Sequence, residues 1–189
     1  MAKNEFSPFS INVTNNFFPF VSEITERIVG RRLWFPQGSA VDYPNIGEWS
    51  QQVYNELKSE SKRAIVAVFS RRGLSRVVGA IIYQRHKTER DLLELKHLSV
   101  DPAAGGRRIA AFLLRQAEVE GLGEYESAAI VCDAKVLRTD VYRFLIANHY
   151  APLTVVDLYG FQTGLDVVFR KEAELIRQKT KRHKIILPF

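Results

Sequence analysis

The stretch from Leu93 to Leu114 reads LELKHLSVDPAAGGRRIAAFLL and gathers the residue types that can do chemistry. Gly105 and Gly106 precede Arg107 and Arg108, and an apolar run then opens on Ile109 and Ala110. Glycines between a strand and a helix let backbone N–H groups approach a phosphate closely. The first helical turn adds the positive end of its dipole, and the arginines add charge. Together they predict a pyrophosphate cradle. It is neither of the two common nucleotide loops, because GxxxxGK[ST] and GxGxxG are both missing. Ahead of the cradle, Leu93 and Leu95 keep a period of two, and so do Leu98 and Val100, but the phase slips by one between the pairs. One extra residue predicts a β-bulge at Lys96-His97, which splays a strand from its neighbour and turns backbone N–H groups toward a ligand. Glu94 and His97, beside the bulge, are the local side chains that can take a proton.

The elements that must hold this stretch follow from periodicity. Ser10–Thr14 alternates as a first strand, and 17–29 predicts a helix with Phe20, Val21, Ile24 and Ile28 on one face. Residues 30–47, rich in Gly and Pro, predict a long functional loop. A second helix over 48–59 places Trp49, Val53 and Leu57 four apart. Runs at 64–69 and 76–85 predict a hairpin, and 92–100 another strand. A helix over 105–120, a strand over 127–132, a helix over 139–148 and strands over 153–159 and 165–169 complete the order. This is α/β with mixed strand directions, including one parallel pair across the 92–132 crossover.

Val100, Pro102, Gly106, Ile109 and Ala110 fall in register with the central motif of the GNAT superfamily, the acyl-CoA-dependent N-acyltransferases, and the stretch resembles it. Gly105 stands where that motif has Gln or Arg, and Arg108 where it has Gly. The stretch DVYRFLIANHY is similar to the family's later helix. Phe144 matches, Leu145 sits at the usual Tyr, and His149-Tyr150 replaces Gly-Phe. The resemblance spans roughly residues 8–169. It implies a GNAT-like, mostly antiparallel sheet with flanking helices and a V-shaped splay at the bulged central strand. It also implies acetyl-CoA, or a related acyl-CoA, as donor, and direct attack by a primary amine. Gly105, Gly106, Arg107, Arg108, Ile109 and Ala110 would then cradle the pyrophosphate. The Leu98 N–H would polarise the thioester carbonyl, and Val100 would hold the pantetheine. Glu94 or His97 would be the base, with partial burial raising the Glu94 pKa. Tyr142, one turn before Leu145, would stand in as the proton donor to the departing thiolate, with Tyr150 and Tyr159 as further options. The motif departures leave room for a second reading, a GNAT-fold binding module with weak or no catalysis.

Length and charge bound the rest. The 189 residues suit one domain, with 46% apolar and 25% charged residues. The net charge is +6, but residues 170–184, RKEAELIRQKTKRHK, hold seven Lys/Arg against two Glu. That predicts an acyltransferase domain over 1–169 and a basic extension over 170–189. The extension suits nucleic acid, an acidic protein partner or a second subunit in a homodimer. The acceptor amine is left open among a protein, a small amine and an aminoacyl-tRNA. No apolar run reaches the ~18–20 residues of a membrane span, and no signal-peptide core is seen, which predicts a cytoplasmic protein without membrane contact. His86, His97, His149 and His183 lack metal-ligand spacing, so no metal is expected. Cys132, the single cysteine, reads as buried packing.

Overall fold

The computed structural model describes residues 10–26, 46–71, 73–105, 108–158 and 164–182. Seven strands form one sheet in the order β1-β2-β3-β4-β5-β7-β6. They are β1 (Ser10–Thr14), β2 (Arg63–Arg71), β3 (Leu74–Arg85), β4 (Leu92–Val100), β5 (Ala129–Lys135), β6 (Ala151–Val156) and β7 (Asp166–Glu172). The helices are α1 (Val21–Glu23), α2 (Ile46–Lys58), α3 (Ile109–Tyr125), α4 (Thr139–Ala147) and α5 (Ala173–Arg182). β1 pairs antiparallel with β2, and β7 pairs antiparallel with both β5 and β6. The parallel pair is β4 with β5, and its register covers only Leu92–Glu94 against Ala129–Val131. The fold is therefore the expected mixed, mostly antiparallel sheet with flanking helices.

The described residues divide into two compact units, one of 10–26, 46–82 and 97–114, the other of 83–96 and 115–182. In the first, Val21 and Ile24 with Val53 and Leu57 of α2 pack on Ala64, Val66, Val68, Val77, Ala80 and Ile82. The four-residue spacing explains this, since Val53 and Leu57 share a face and are both fully buried, with Trp49 packed beside them. Each such side chain contributes about 1.5–3 kcal/mol by leaving water. Gly79 of β3 admits α3, because a Cβ there would stand 3.0 Å from Leu113 Cδ1 and 3.3 Å from Ile109 Cγ2.

In the second unit, Gly121 does the same for the far end of α3. A Cβ there would lie 2.7 Å from the Leu93 methyls and 3.2 Å from Tyr83. Beneath that end lies a buried polar cluster. Glu118 Oε1 accepts from Lys171 Nζ at 2.7 Å and from the Tyr150 hydroxyl at 2.9 Å. A buried charge is tolerated when paired and hydrogen-bonded in this way.

Several boundaries differ from expectation. Residues 17–29 open as a single 3-10 turn, Phe18–Phe20, before α1, and those beyond 26 lie outside the described residues. α3 begins at Ile109, not 105. Pro102–Ala104 forms a 3-10 turn of its own, and Arg108 has φ +57°, which a helix cannot contain. The line drawn between 169 and 170 falls inside β7, which runs on to Glu172. Ala173 and Ile176 of α5 are buried, and the Ala173 N–H donates to Ala128 O at 2.9 Å. No described helix is long and apolar enough to cross a membrane.

Candidate functional site

The junction from β4 to α3 lies wholly in the first unit. The Asp101 N–H still donates to Val78 O at 2.8 Å, so the end of β4 is tied to β3. The Asp101 carboxylate then accepts from Ala103 N–H at 2.9 Å and caps the turn at Pro102. Arg76 Nη2 lies 3.5 Å from the same carboxylate. Gly105 closes the turn by donating to Pro102 O at 3.0 Å. Its φ is −58°, so glycine is needed there for space: a Cβ would stand 3.0 Å from Pro102 O. Gly106 and Arg107, at the centre of the expected cradle, lie outside the described residues.

Arg108 carries the decisive geometry. Its φ of +57° is the left-handed conformation that glycine adopts freely, and it costs another residue about 1–2 kcal/mol. The main chain at this position thus has a glycine-type conformation beneath an exposed arginine. The Arg108 carbonyl accepts the first α3 bond, from Phe112 N–H at 3.1 Å. Ile109 is buried and anchors the helix start, and Ala110 is half-buried.

The predicted irregularity in β4 is found at His97, which has φ +53°. Its ring meets Trp49 of α2 edge-on, with centroids 4.4 Å apart. Beyond it, Leu98 and Val100 are half-buried and Ser99 is buried. Pairing with β5 has already ended at Glu94.

In the second unit Glu94 is not an isolated carboxylate. Gln84 Nε2 donates to it, and Lys96 Nζ lies 2.9 Å from its Oε1. Lys96 Nζ also lies 3.4 Å from Asp133 Oδ1 on β5. Burial pushes the Glu94 pKa up, as expected, but the charge and hydrogen bond of Lys96, with Gln84 and His86, bring it below the ordinary carboxylate value. The expectation of a raised pKa is therefore reversed, since a cation at ion-pair distance outweighs incomplete desolvation.

The tyrosines separate clearly. Tyr142 lies on the exposed side of α4 with its ring edge-on to Phe169 at 5.2 Å, while Leu145 is buried. The Tyr150 hydroxyl donates to Glu118 in the core, and burial pushes its pKa well up. Tyr159 lies outside the described residues. Burial likewise pushes the Cys132 thiol up, in keeping with a packing role. Among the described residues no three His, Cys, Asp or Glu side chains converge as metal ligands.

Two contacts went unread in the sequence. Lys96 with Asp133 joins positions 37 residues apart, which no local pattern reveals. Glu118 did leave a signal: it falls on the buried face of α3 with Leu114, Ala117 and Leu122, where a charge demands a partner.

No protein-family model matches the chain, and no curated protein matches it. Solved structures do. A ribosomal-protein-alanine N-acetyltransferase from Brucella melitensis is 16% identical, covering 85% of this chain and 99% of that one at TM-score 0.63. A Salmonella typhimurium protein solved with its cofactor acetyl-CoA is 15% identical, covering 88% and 95% at TM-score 0.62. A mutant spermidine N-acetyltransferase from Vibrio cholerae is 10% identical, covering 91% and 98% at TM-score 0.62. At such identities the likeness establishes the fold. It is shared with an acetyltransferase of the GNAT family from Desulfovibrio desulfuricans, 11% identical, covering 88% and 99% at TM-score 0.63, so the fold is the GNAT fold that the β4–α3 motif implied.

Proposed function

We propose that this chain is an N-acyltransferase that moves an acetyl or related acyl group from acyl-CoA to a primary amine by direct attack. The observation that carries the reading is Arg108, held in a glycine-type conformation at the start of α3 in a GNAT fold. A strained arginine needs a reason, and an anion-binding turn supplies one. Gly105, Gly106, Arg107, Arg108, Ile109 and Ala110 would hold the pyrophosphate, with Val100 along the pantetheine. The donor supplies a thioester, whose carbonyl the Leu98 N–H would polarise. An amine of ordinary pKa near 10 reaches the site protonated, so Glu94 or His97 must take its proton before the C–N bond forms and the C–S bond breaks. Tyr142 would return a proton to the thiolate.

The solved structures differ in acceptor, a ribosomal-protein alanine in one and spermidine in another, so the fold leaves the acceptor open. The long loop expected over 30–47 lies almost entirely outside the described residues. The basic extension keeps nucleic acid, or an acidic partner, as a second contact. Calorimetry with acetyl-CoA tests the core of the reading. Binding is expected, and Gly106→Trp should abolish it. No binding at millimolar acetyl-CoA would overturn the acyltransferase, and full binding by the Trp variant would show the cradle to be elsewhere.

A further inference from the structure

Lys96 has no part in the reading above, yet it occupies a telling position. The backbone ladder between β4 and β5 stops at the pair Glu94–Val131. Two residues further along each strand stand Lys96 and Asp133, and their side chains approach to 3.4 Å. The same ammonium reaches back to Glu94 at 2.9 Å. All three side chains are largely buried, at 15–19% exposed. One cation therefore continues by side chain the strand contact that the backbone gives up.

We infer that Lys96 is a positioning residue: it clamps Glu94 and Asp133 across the end of the β4–β5 ladder and holds the Glu94 carboxylate in one place, oriented to receive the proton of an acceptor amine. The inference rests on Glu94 as the base in the proposed reaction. The groups that bear on Glu94 are Gln84 on β3, His86 beyond the end of β3, Lys96 on its own strand, and Asp133 on β5 through Lys96. Gln84 is neutral, so apart from His86 the compensating charge comes from Lys96. Burial alone would push the carboxyl toward its neutral form.

The test follows the Glu94 carboxyl resonance in the full-length protein by ¹³C NMR across pH, with Glu94→Gln giving the assignment. In Lys96→Met the titration should move up by about 1–3 pH units, the usual effect of an adjacent opposite charge. Lys96→Arg should leave it low. Asp133→Asn, which releases the cation from its second carboxylate, should not raise it. An unmoved titration in the Met variant overturns the inference, as does an equal rise in the Arg variant. Lys96→Gln serves if the Met variant does not fold. Acetyl-CoA calorimetry on the same samples separates the two failures. Loss of donor binding in the unmodified protein strikes the proposed reaction, while the carboxyl titration still decides the clamp.

Discussion

Arg108 and Lys171 are both cations of one chain, and the two regions that hold them treat charge in opposite ways. At the start of α3 the arginine is exposed and the backbone beneath it is strained. Under the far end of α3 the lysine is buried, and Glu118 at 2.7 Å neutralises it. The first arrangement leaves an exposed cation on a strained backbone. The second presents nothing and fixes β7 and the segment before β6 against the helix. Lys96 lies between these extremes, part-buried, bridging two carboxylates where a strand pair ends. The lesson concerns reading charge. A Lys or Arg marks a binding site only when its own chain has not already matched it.

The buried pair depends most on Glu118. Glu118→Ala leaves Lys171 buried without its carboxylate, so urea unfolding should report a loss of about 3–5 kcal/mol. Replacing both residues with leucine should cost far less, because a packed apolar pair needs no counter-charge. A small loss in the single variant would mean that Lys171 escapes to water. At the other region, Arg108→Gly should raise stability by about 0.5–1 kcal/mol, the relief of left-handed strain less the greater unfolded freedom of glycine. The same variant should weaken acetyl-CoA binding by about 10-fold, as losing a charged hydrogen bond does. Higher stability with unchanged affinity would place the guanidinium away from the phosphates.

The smallest effect concerns the extension. Of its seven cations, Arg170 pairs with Glu172, Lys171 is buried, and Arg177 donates to Ser127 O at 3.2 Å. The other four cations are Lys179, Lys181, Arg182 and Lys184. Cutting after Gln178 keeps β7 and the docked turn of α5 while removing the remaining four. Any nucleic-acid binding should then lose about one unit of salt slope for each phosphate contact removed. An unaltered slope would exclude the extension as the contact.

Much of the fold was legible because periodicity is local. The β4 strand was read at its observed bounds, and its phase slip located the backbone irregularity at His97. The start of α3 was misplaced by four residues, since nothing in Gly-Gly-Arg-Arg says that Arg108 turns left-handed. Charge density along the chain cannot show that Lys171 is matched by Glu118, 53 positions earlier. The raised pKa expected for Glu94 failed for the same reason. Burial can be guessed from apolar neighbours, but the position of Lys96 relative to the carboxylate depends on how the strand is paired.

By itself, then, the sequence determined what depends on nearest neighbours along the chain: strand and helix order, and the interrupted β4. Tertiary structure alone decided which charges are already matched. That sorts Arg108 as presented, Lys96 as shared and Lys171 as neutralised. The physical reason is that electrostatic energy depends on distance and burial in three dimensions, and the partners lie 37 and 53 residues apart for Lys96 and Lys171.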